Sequence, residues 1–126
     1  RGILSGKYAK FGEYPEGSRA SRGDARMNQA ELRPASIEIG RKISAYCEQK
    51  GCTASQFALA WVLGNPILTS VIIGPRTMQQ YDDNIQCLDV EVTMEDETFV
   101  NQLVPPGEHS GFGFQDEAFP VTGRGR

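Results

Sequence analysis

The spacing of hydrophobic residues predicts two helices in the first half of the chain. From Pro34 to Lys50 the apolar residues recur every three or four positions, and a glycine suited to a helix C-cap follows. Thr53 begins a capping-box sequence, which predicts a second helix over 54–63. That helix is apolar on nearly every side, so we expect it to be buried.

Two more helices are predicted in the second half. Thr77 begins another capping-box sequence, and its helix is expected to reach about Cys87. Thr93 precedes several acidic residues, which the positive end of a helix dipole favours, and this helix is expected to reach Leu103.

Between these pairs, residues 69–73 form a short β-branched run that ends at Gly74 and Pro75. The run does not alternate with polar residues, which indicates a strand buried on both faces, as in a parallel sheet. Helices alternating with a strand are typical of the α/β class. A single strand has nothing to pair with, so either this chain is one part of a larger sheet or the strand prediction is wrong. The absence of an initial methionine agrees with the first alternative.

Bulk composition favours a soluble globular domain over a nucleic-acid or membrane-surface binder. The net charge is -3 and the pI is near 5.1, whereas those binders present a basic face. No apolar run approaches the ~20 residues of a membrane helix, and no signal sequence is visible, so we expect a cytoplasmic protein. Cys47, Cys52 and Cys87 contain no CxxC pair and predict reduced thiols. With His109 as the single histidine, no metal site is expected.

Both ends of the chain are irregular in pattern. The first 35 residues are rich in glycine and carry a basic cluster composed of Lys7, Lys10, Arg19, Arg22 and Arg26. This segment is either an anion-binding loop or a solvated, mobile one. The tail carries Phe112, Phe114 and Phe119, which either line a substrate pocket or belong to a packed or disordered tail.

The junction between the predicted strand and the third helix suggests an anion site. Gly74 permits a tight turn and close approach of a ligand, and Arg76 supplies a planar cationic fork at a helix N-terminus. Gln80 and Asn84 lie four residues apart, on one face of that helix. The alternative is an ordinary turn with Arg76 in solvent.

The same junction resembles the last βα unit of the aldo-keto reductases. The sequence from Val71 to Arg76, with Gln80, Asp83 and Asn84 after it, carries this resemblance. Three further segments are similar to the family in the expected order: 2–8 to the segment that covers the cofactor pyrophosphate, 17–19 to a later part of that loop, and 58–63 to the buried helix before the last strand. Together they span residues 1 to about 104. The nearest resemblance is to bacterial-type reductases related to potassium channel β subunits.

The resemblance implies the C-terminal part of a (β/α)8 TIM barrel. It divides the chain into a cofactor-covering loop (1–35), a segment of helices and the last barrel strand (36–104), and a tail (105–126). It implies NADPH as the cofactor. Nine residues are expected to bind it: Lys7 at the pyrophosphate with Gly2 and Leu4 beside it, Arg19 and Arg76 at the 2′-phosphate, Gly74 in the turn, and Gln80, Asp83 and Asn84 at the adenine and ribose.

No catalytic residue is expected in this chain. The family's catalytic aspartate, tyrosine, lysine and histidine come from the first half of the barrel, so that half is an expected partner. We therefore expect the C-terminal portion of an NADPH-dependent reductase of aldehydes or ketones, inactive and poorly soluble alone. The alternatives are a non-catalytic nucleotide-binding module of the channel β-subunit type and an inactive truncated remnant.

Overall fold

Four α-helices and three short helical turns make up the regular structure of residues 2–111 and 114–119, the part of the chain that the computed structural model describes. The α-helices are α1 (Pro34–Lys50), α2 (Ala54–Leu63), α3 (Met78–Ile85) and α4 (Met94–Leu103). The short turns are 3₁₀ at Ile3–Ser5 and Gln86–Asp89 and π-helical at Met27–Glu31.

The first two helices confirm the prediction from capping residues. Helix α1 ends at Gly51, whose φ of 79° is the left-handed conformation that glycine adopts without strain. Helix α2 begins with a complete capping box: the Thr53 hydroxyl accepts from the Gln56 amide at 3.1 Å, and the Gln56 side chain accepts from the Thr53 amide at 3.0 Å. These bonds satisfy amides that a helix N-terminus leaves without partners.

Helix α3 is shorter than predicted. It ends at Ile85, and the chain tightens into the 3₁₀ turn Gln86–Asp89, which packs against α2 and buries Cys87. No glycine or proline lies at this change of geometry. The sequence therefore carries no signal that α3 ends before Cys87. Helix α4 ends at Leu103 as predicted.

The predicted strand over 69–73 does not form within the described residues. The segment has no regular structure, and its Ile72 side chain is 97% exposed. A strand exists only through hydrogen bonds to a neighbouring strand. The described residues supply no such neighbour, since their β-type pairing is an isolated bridge between Lys10 and Glu13. The regular structure that can be seen is therefore helical, and the predicted α/β barrel is not present within it.

Two hydrophobic clusters form the core. One contains Ile43 and Cys47 of α1 with Ala54 and Phe57 of α2, and Tyr46 and Phe99 pack against it. The other joins α1 to the N-terminal segment through Tyr8, Ala20, Met27, Leu32 and Ile37. Residues 2–33 are thus anchored by buried side chains and by the π-helical turn.

A buried carboxylate ties α4 to the end of α1. Asp96 is 1% exposed and accepts hydrogen bonds from the Tyr46 hydroxyl at 2.6 Å, the Lys50 ammonium at 3.0 Å and the Thr93 amide at 2.6 Å. Burial by itself raises the pKa of Asp96, but these bonds outweigh it and lower the pKa to about 2. The hydrogen bond from the Tyr46 hydroxyl to Asp96 raises the pKa of Tyr46 to about 12.

Among the helices of residues 2–111 and 114–119, none combines the length and the apolar character needed to cross a bilayer.

Candidate cofactor-binding cleft

A large open cleft of about 1310 Å³ runs between the N-terminal segment, α2 and the segment 72–84. All nine residues predicted to bind a cofactor line it, namely Gly2, Leu4, Lys7, Arg19, Gly74, Arg76, Gln80, Asp83 and Asn84. Residues 70 positions apart in sequence are therefore brought to one surface. Their contact with a nucleotide stays a prediction.

The turn before α3 is organised differently from the predicted capping box. The Thr77 hydroxyl accepts from the Gln80 amide at 3.2 Å, but the Gln80 side-chain carbonyl accepts from the Arg76 amide at 2.8 Å. The Arg76 amide is thereby occupied, and Pro75 has no amide to offer. The groups at this turn that stay open to an anion are the Arg76 side chain and the first amides of α3. The Gln80 side-chain carbonyl is occupied by its bond to the Arg76 amide, and contact of Gln80 with a ligand stays a prediction.

Asp83 holds α3 to the beginning of α2. Its carboxylate accepts from the Gln56 side-chain amide at 2.9 Å and from the Thr53 hydroxyl at 3.2 and 3.3 Å. The capping box at Thr53 was visible in the sequence, but this bond joins residues about 30 positions apart and left no local signal. Asp83 therefore has a structural role in addition to the predicted ligand contact.

The basic cluster of the N-terminal segment divides into two groups. Lys10 forms an ion pair with Glu13, and Arg26 forms one with Asp116. By contrast, Lys7, Arg19 and Arg22 line the cleft and, among the described residues, no carboxylate pairs with any of them. A concave surface with unneutralised cations attracts anions.

Backbone shape sets the position of Lys7. Gly2 has a φ of 99°, and a Cβ added there would lie 2.8 Å from both Cε and Nζ of Lys7. Glycine at position 2 thus permits the Lys7 ammonium to lie against the backbone. The Lys7 ammonium also lies 5.2 Å from the centre of the Tyr8 ring.

Gly40 helps to shape the cleft, and it was not among the residues predicted from the sequence. It lies in the middle of α1, and a Cβ there would be 2.9 Å from the carbonyl oxygen of Ile3. The absent side chain lets α1 approach the 3₁₀ turn that carries Leu4. A glycine inside a helical pattern costs about 1 kcal/mol relative to alanine, so its presence was a visible signal of close packing.

The described part of the tail reaches the same cleft. Arg33 donates to the Ser110 backbone carbonyl and to its hydroxyl, and its guanidinium lies 3.7 Å from the centre of the Phe114 ring. Phe119 is exposed and lies against Arg26 instead. Phe112 is outside the described residues. Within the described residues of the tail, Phe114 lines the cleft and Phe119 does not. A role for these rings in a substrate pocket stays a prediction.

The described lining of the cleft includes the single histidine of the sequence. Its histidine, His109, packs edge-on against Phe114. Over the described ranges no three His, Cys, Asp or Glu residues are grouped as metal ligands would be.

Sequence comparison assigns the family. The sequence model described as "Aldo/keto reductase family" matches residues 1–104. The chain belongs to the aldo/keto reductase family. The four ordered segments from which the resemblance was inferred all lie inside this match.

Curated relatives carry several kinds of name. The chain is 36% identical over 107 residues to the uncharacterized oxidoreductase YrpG of Bacillus subtilis, which covers 84% of the chain and 30% of the relative. It is 35% identical over 107 residues to a putative voltage-gated potassium channel subunit beta of Schizosaccharomyces pombe, covering 82% and 28%. It is 29% identical over 112 residues to an L-glyceraldehyde 3-phosphate reductase of Escherichia coli O157:H7, covering 86% and 32%. The chain spans about 30% of the length of the curated relatives it matches.

Proposed function

We propose that this chain is the C-terminal, cofactor-binding portion of an NADPH-dependent aldo/keto reductase that reduces aldehydes or ketones to alcohols. The observation that carries the proposal is the gathering of all nine predicted residues on one cleft. Family membership supports it, since the family match covers the segments that contain these residues.

The residues present fit a dinucleotide phosphate. Lys7 and Arg19 lack carboxylate partners among the described residues, and Gly74 has open space where a side chain would lie. Lys7 would hold the pyrophosphate beside Gly2 and Leu4. Arg19 and Arg76 would hold the 2′-phosphate, because a dianion is bound best by two cationic forks.

The adenosine end would lie on α3. Gln80 has a side-chain NH₂ to donate, and Asn84 lies one turn further along the same face. Asp83 would meet the adenine with the lone pairs that its bonds to α2 leave over. When bound, the nicotinamide supplies the hydride, and the proton donor belongs to the preceding part of the barrel.

The exposed segment 69–73 is the place where that preceding part would join. In our proposal the segment becomes the last strand of the barrel when neighbouring strands complete its hydrogen bonds, which would cover Ile72. By itself the chain would present this unpaired apolar segment to solvent, and we expect poor solubility or self-association and no reductase activity.

A second candidate is a nucleotide-binding module that does not catalyse and acts through protein contacts. Two relatives favour it, the Schizosaccharomyces pombe protein and a probable voltage-gated potassium channel subunit beta of Arabidopsis thaliana, which is 35% identical over 94 residues. An inactive remnant of a truncated gene is the remaining alternative. The coding sequence upstream separates them, because a reductase requires the aspartate, tyrosine, lysine and histidine there.

The test is a calorimetric titration of the complete protein with NADPH and NADH. Arg76→Ala should weaken NADPH binding about 10- to 100-fold, since a charged hydrogen bond contributes about 1.5–3 kcal/mol. NADH affinity should change less than about twofold by the same reasoning, because NADH lacks the 2′-phosphate.

The matched control is Arg41→Ala. Arg41 is an exposed arginine on α1 that pairs with Glu38 and does not line the cleft. Equal affinity of the wild type for both cofactors, or an equal loss in both variants, would contradict the assignment of the 2′-phosphate. Tight NADPH binding without turnover of any carbonyl substrate would favour the non-catalytic module.

A further inference from the structure

The end of α1 brings two thiols together. The Cys52 amide donates to the Cys47 carbonyl at 3.0 Å, and the Gly51 amide donates to the Glu48 carbonyl at 3.2 Å. This pair of bonds around a left-handed glycine is a Schellman motif, in which the first residue after the glycine commonly packs on the residue five positions earlier. Here those two residues are both cysteines.

The backbone bond limits the separation of the two residues. An amide nitrogen lies about 1.5 Å from its own α-carbon, and a carbonyl oxygen lies about 2.4 Å from its own. The largest possible separation of the two α-carbons is the sum of these two lengths and the 3.0 Å hydrogen bond. The α-carbons of Cys47 and Cys52 therefore lie within about 7 Å of each other. Disulfides join α-carbons that are about 4.4–6.8 Å apart. The backbone bond therefore holds the two α-carbons close to the range that a disulfide spans.

The two thiols have different environments. Cys47 is fully buried, whereas Cys52 is partly exposed and packs against the core cluster that contains Cys47. Burial, together with the neighbouring Cys52 thiol, raises the pKa of Cys47. Cys52 is thus the thiol that solvent and an oxidant reach first, and Cys47 lies directly behind it. Both are free thiols in the structure.

We propose that Cys47 and Cys52 are a reversible oxidation site that closes to a disulfide with hydrogen peroxide as the oxidant. The Cys52 sulfur attacks one peroxide oxygen: an S–O bond forms, the O–O bond breaks, and the departing hydroxide takes the Cys52 thiol proton and leaves as water. The Cys47 sulfur then attacks the Cys52 sulfur: the S–S bond forms, the S–O bond breaks, and the Cys47 proton leaves with hydroxide as a second water. Two thiols are oxidised, one peroxide is reduced to two waters, and a dithiol reductant reverses the change.

This site lies apart from the proposed nucleotide contacts and does not depend on them. Neither Cys47 nor Cys52 lines the cleft. Failure of NADPH binding would leave the oxidation site untouched, and failure of the oxidation site would leave the cofactor proposal untouched.

The sequence is well suited to a mapping experiment. Trypsin cuts after Lys42, Lys50 and Arg76, so Cys47 falls in peptide 43–50, Cys52 in peptide 51–76 and Cys87 in peptide 77–124. The reduced, full chain would be treated with hydrogen peroxide, and the remaining thiols would be blocked with iodoacetamide before digestion. We expect peptides 43–50 and 51–76 to appear as one linked species, while Cys87 is recovered alkylated. Dithiothreitol should abolish the linked species.

Single variants test the order of events. Cys47→Ser should abolish the link and leave Cys52 as a sulfenic acid that dimedone labels, whereas Cys52→Ser should abolish both the link and the labelling. Cys87→Ser is the matched control and should leave the link unchanged.

Two results would overturn the proposal. One is oxidation of Cys52 to sulfinic acid in the wild type without any linked peptide. The other is linkage of Cys87 to either cysteine as readily as Cys47 to Cys52. The wild-type map decides between these results even if a serine variant fails to fold.

Discussion

The pair of helices α1 and α2 and the segment 69–73 are both rich in apolar residues, yet the structure treats them in opposite ways. Phe57 of α2 is 2% exposed, whereas Ile72 is 97% exposed. A helix satisfies its backbone hydrogen bonds internally and needs only one apolar face covered, so α1 and α2 can bury each other. A strand needs partners for its backbone as well, and the described residues offer none. The contrast shows which parts of this chain can form alone.

The largest expected effect tests that contrast directly. Phe57→Ala should reduce the free energy of unfolding of the 126-residue chain by about 3–5 kcal/mol, because it removes a buried ring that packs on Tyr46. Ile72→Ala should change it by less than about 0.5 kcal/mol, because an exposed side chain loses little. Urea unfolding followed by circular dichroism, repeated at several protein concentrations, measures both.

The Ile72→Ala variant also tests the proposal of a larger barrel. In the complete protein Ile72→Ala should cost about 2–5 kcal/mol, as for other buried aliphatic side chains. An unchanged stability there would show that segment 69–73 stays uncovered, and the proposed last strand would have to be abandoned.

A smaller effect concerns the carboxylate that joins α1 to α4. The pKa of Asp96 is lowered from its ordinary 3.8 to about 2, so its contribution to stability is present above pH 3.8 and is lost as the pH falls toward 2. Asp96→Asn should therefore lower the free energy of unfolding by about 2 kcal/mol at neutral pH. It should also weaken the loss of stability that the wild type shows as the pH falls from 3.8 toward 2.

The control for Asp96 lies on the same turn of α4. Glu95→Gln removes an exposed carboxylate and should change stability by less than about 0.5 kcal/mol. Denaturant melts at a series of pH values provide the measurement. A loss of stability from pH 3.8 toward 2 that is unchanged in Asp96→Asn would contradict the role assigned to this residue.

The smallest effect compares two glycines. Gly51→Ala should cost about 1–2 kcal/mol, because its φ of 79° strains any residue with a Cβ. Gly74 has no left-handed φ and open space around its Cβ position, so Gly74→Ala should leave stability within about 0.5 kcal/mol. Thermal melts distinguish the two, and equal losses would mean that the turn before α3 is more constrained than its geometry indicates.

The sequence by itself determined the elements whose causes are local. Thr53 and Thr93 cap α2 and α4 through bonds that span three residues, and Gly51 ends α1 through its own conformation. The family could also be inferred from the sequence, because short motifs in a fixed order can be recognised without knowledge of the fold. Residues such as Lys7 and Arg76 could be nominated for the cofactor cleft from those motifs.

Only the tertiary structure decided what depends on contacts between distant positions. It separated Lys7, Arg19 and Arg22 in the cleft from Arg26, whose partner Asp116 lies 90 residues away. It showed that the Asp83 carboxylate accepts a hydrogen bond from Gln56 of α2, which no local sequence pattern predicts. Local hydrogen bonds are encoded by neighbouring residues, whereas ion pairs and strand pairing are set by whichever surfaces the folded chain brings together. For the segment 69–73, the described residues bring no such surface.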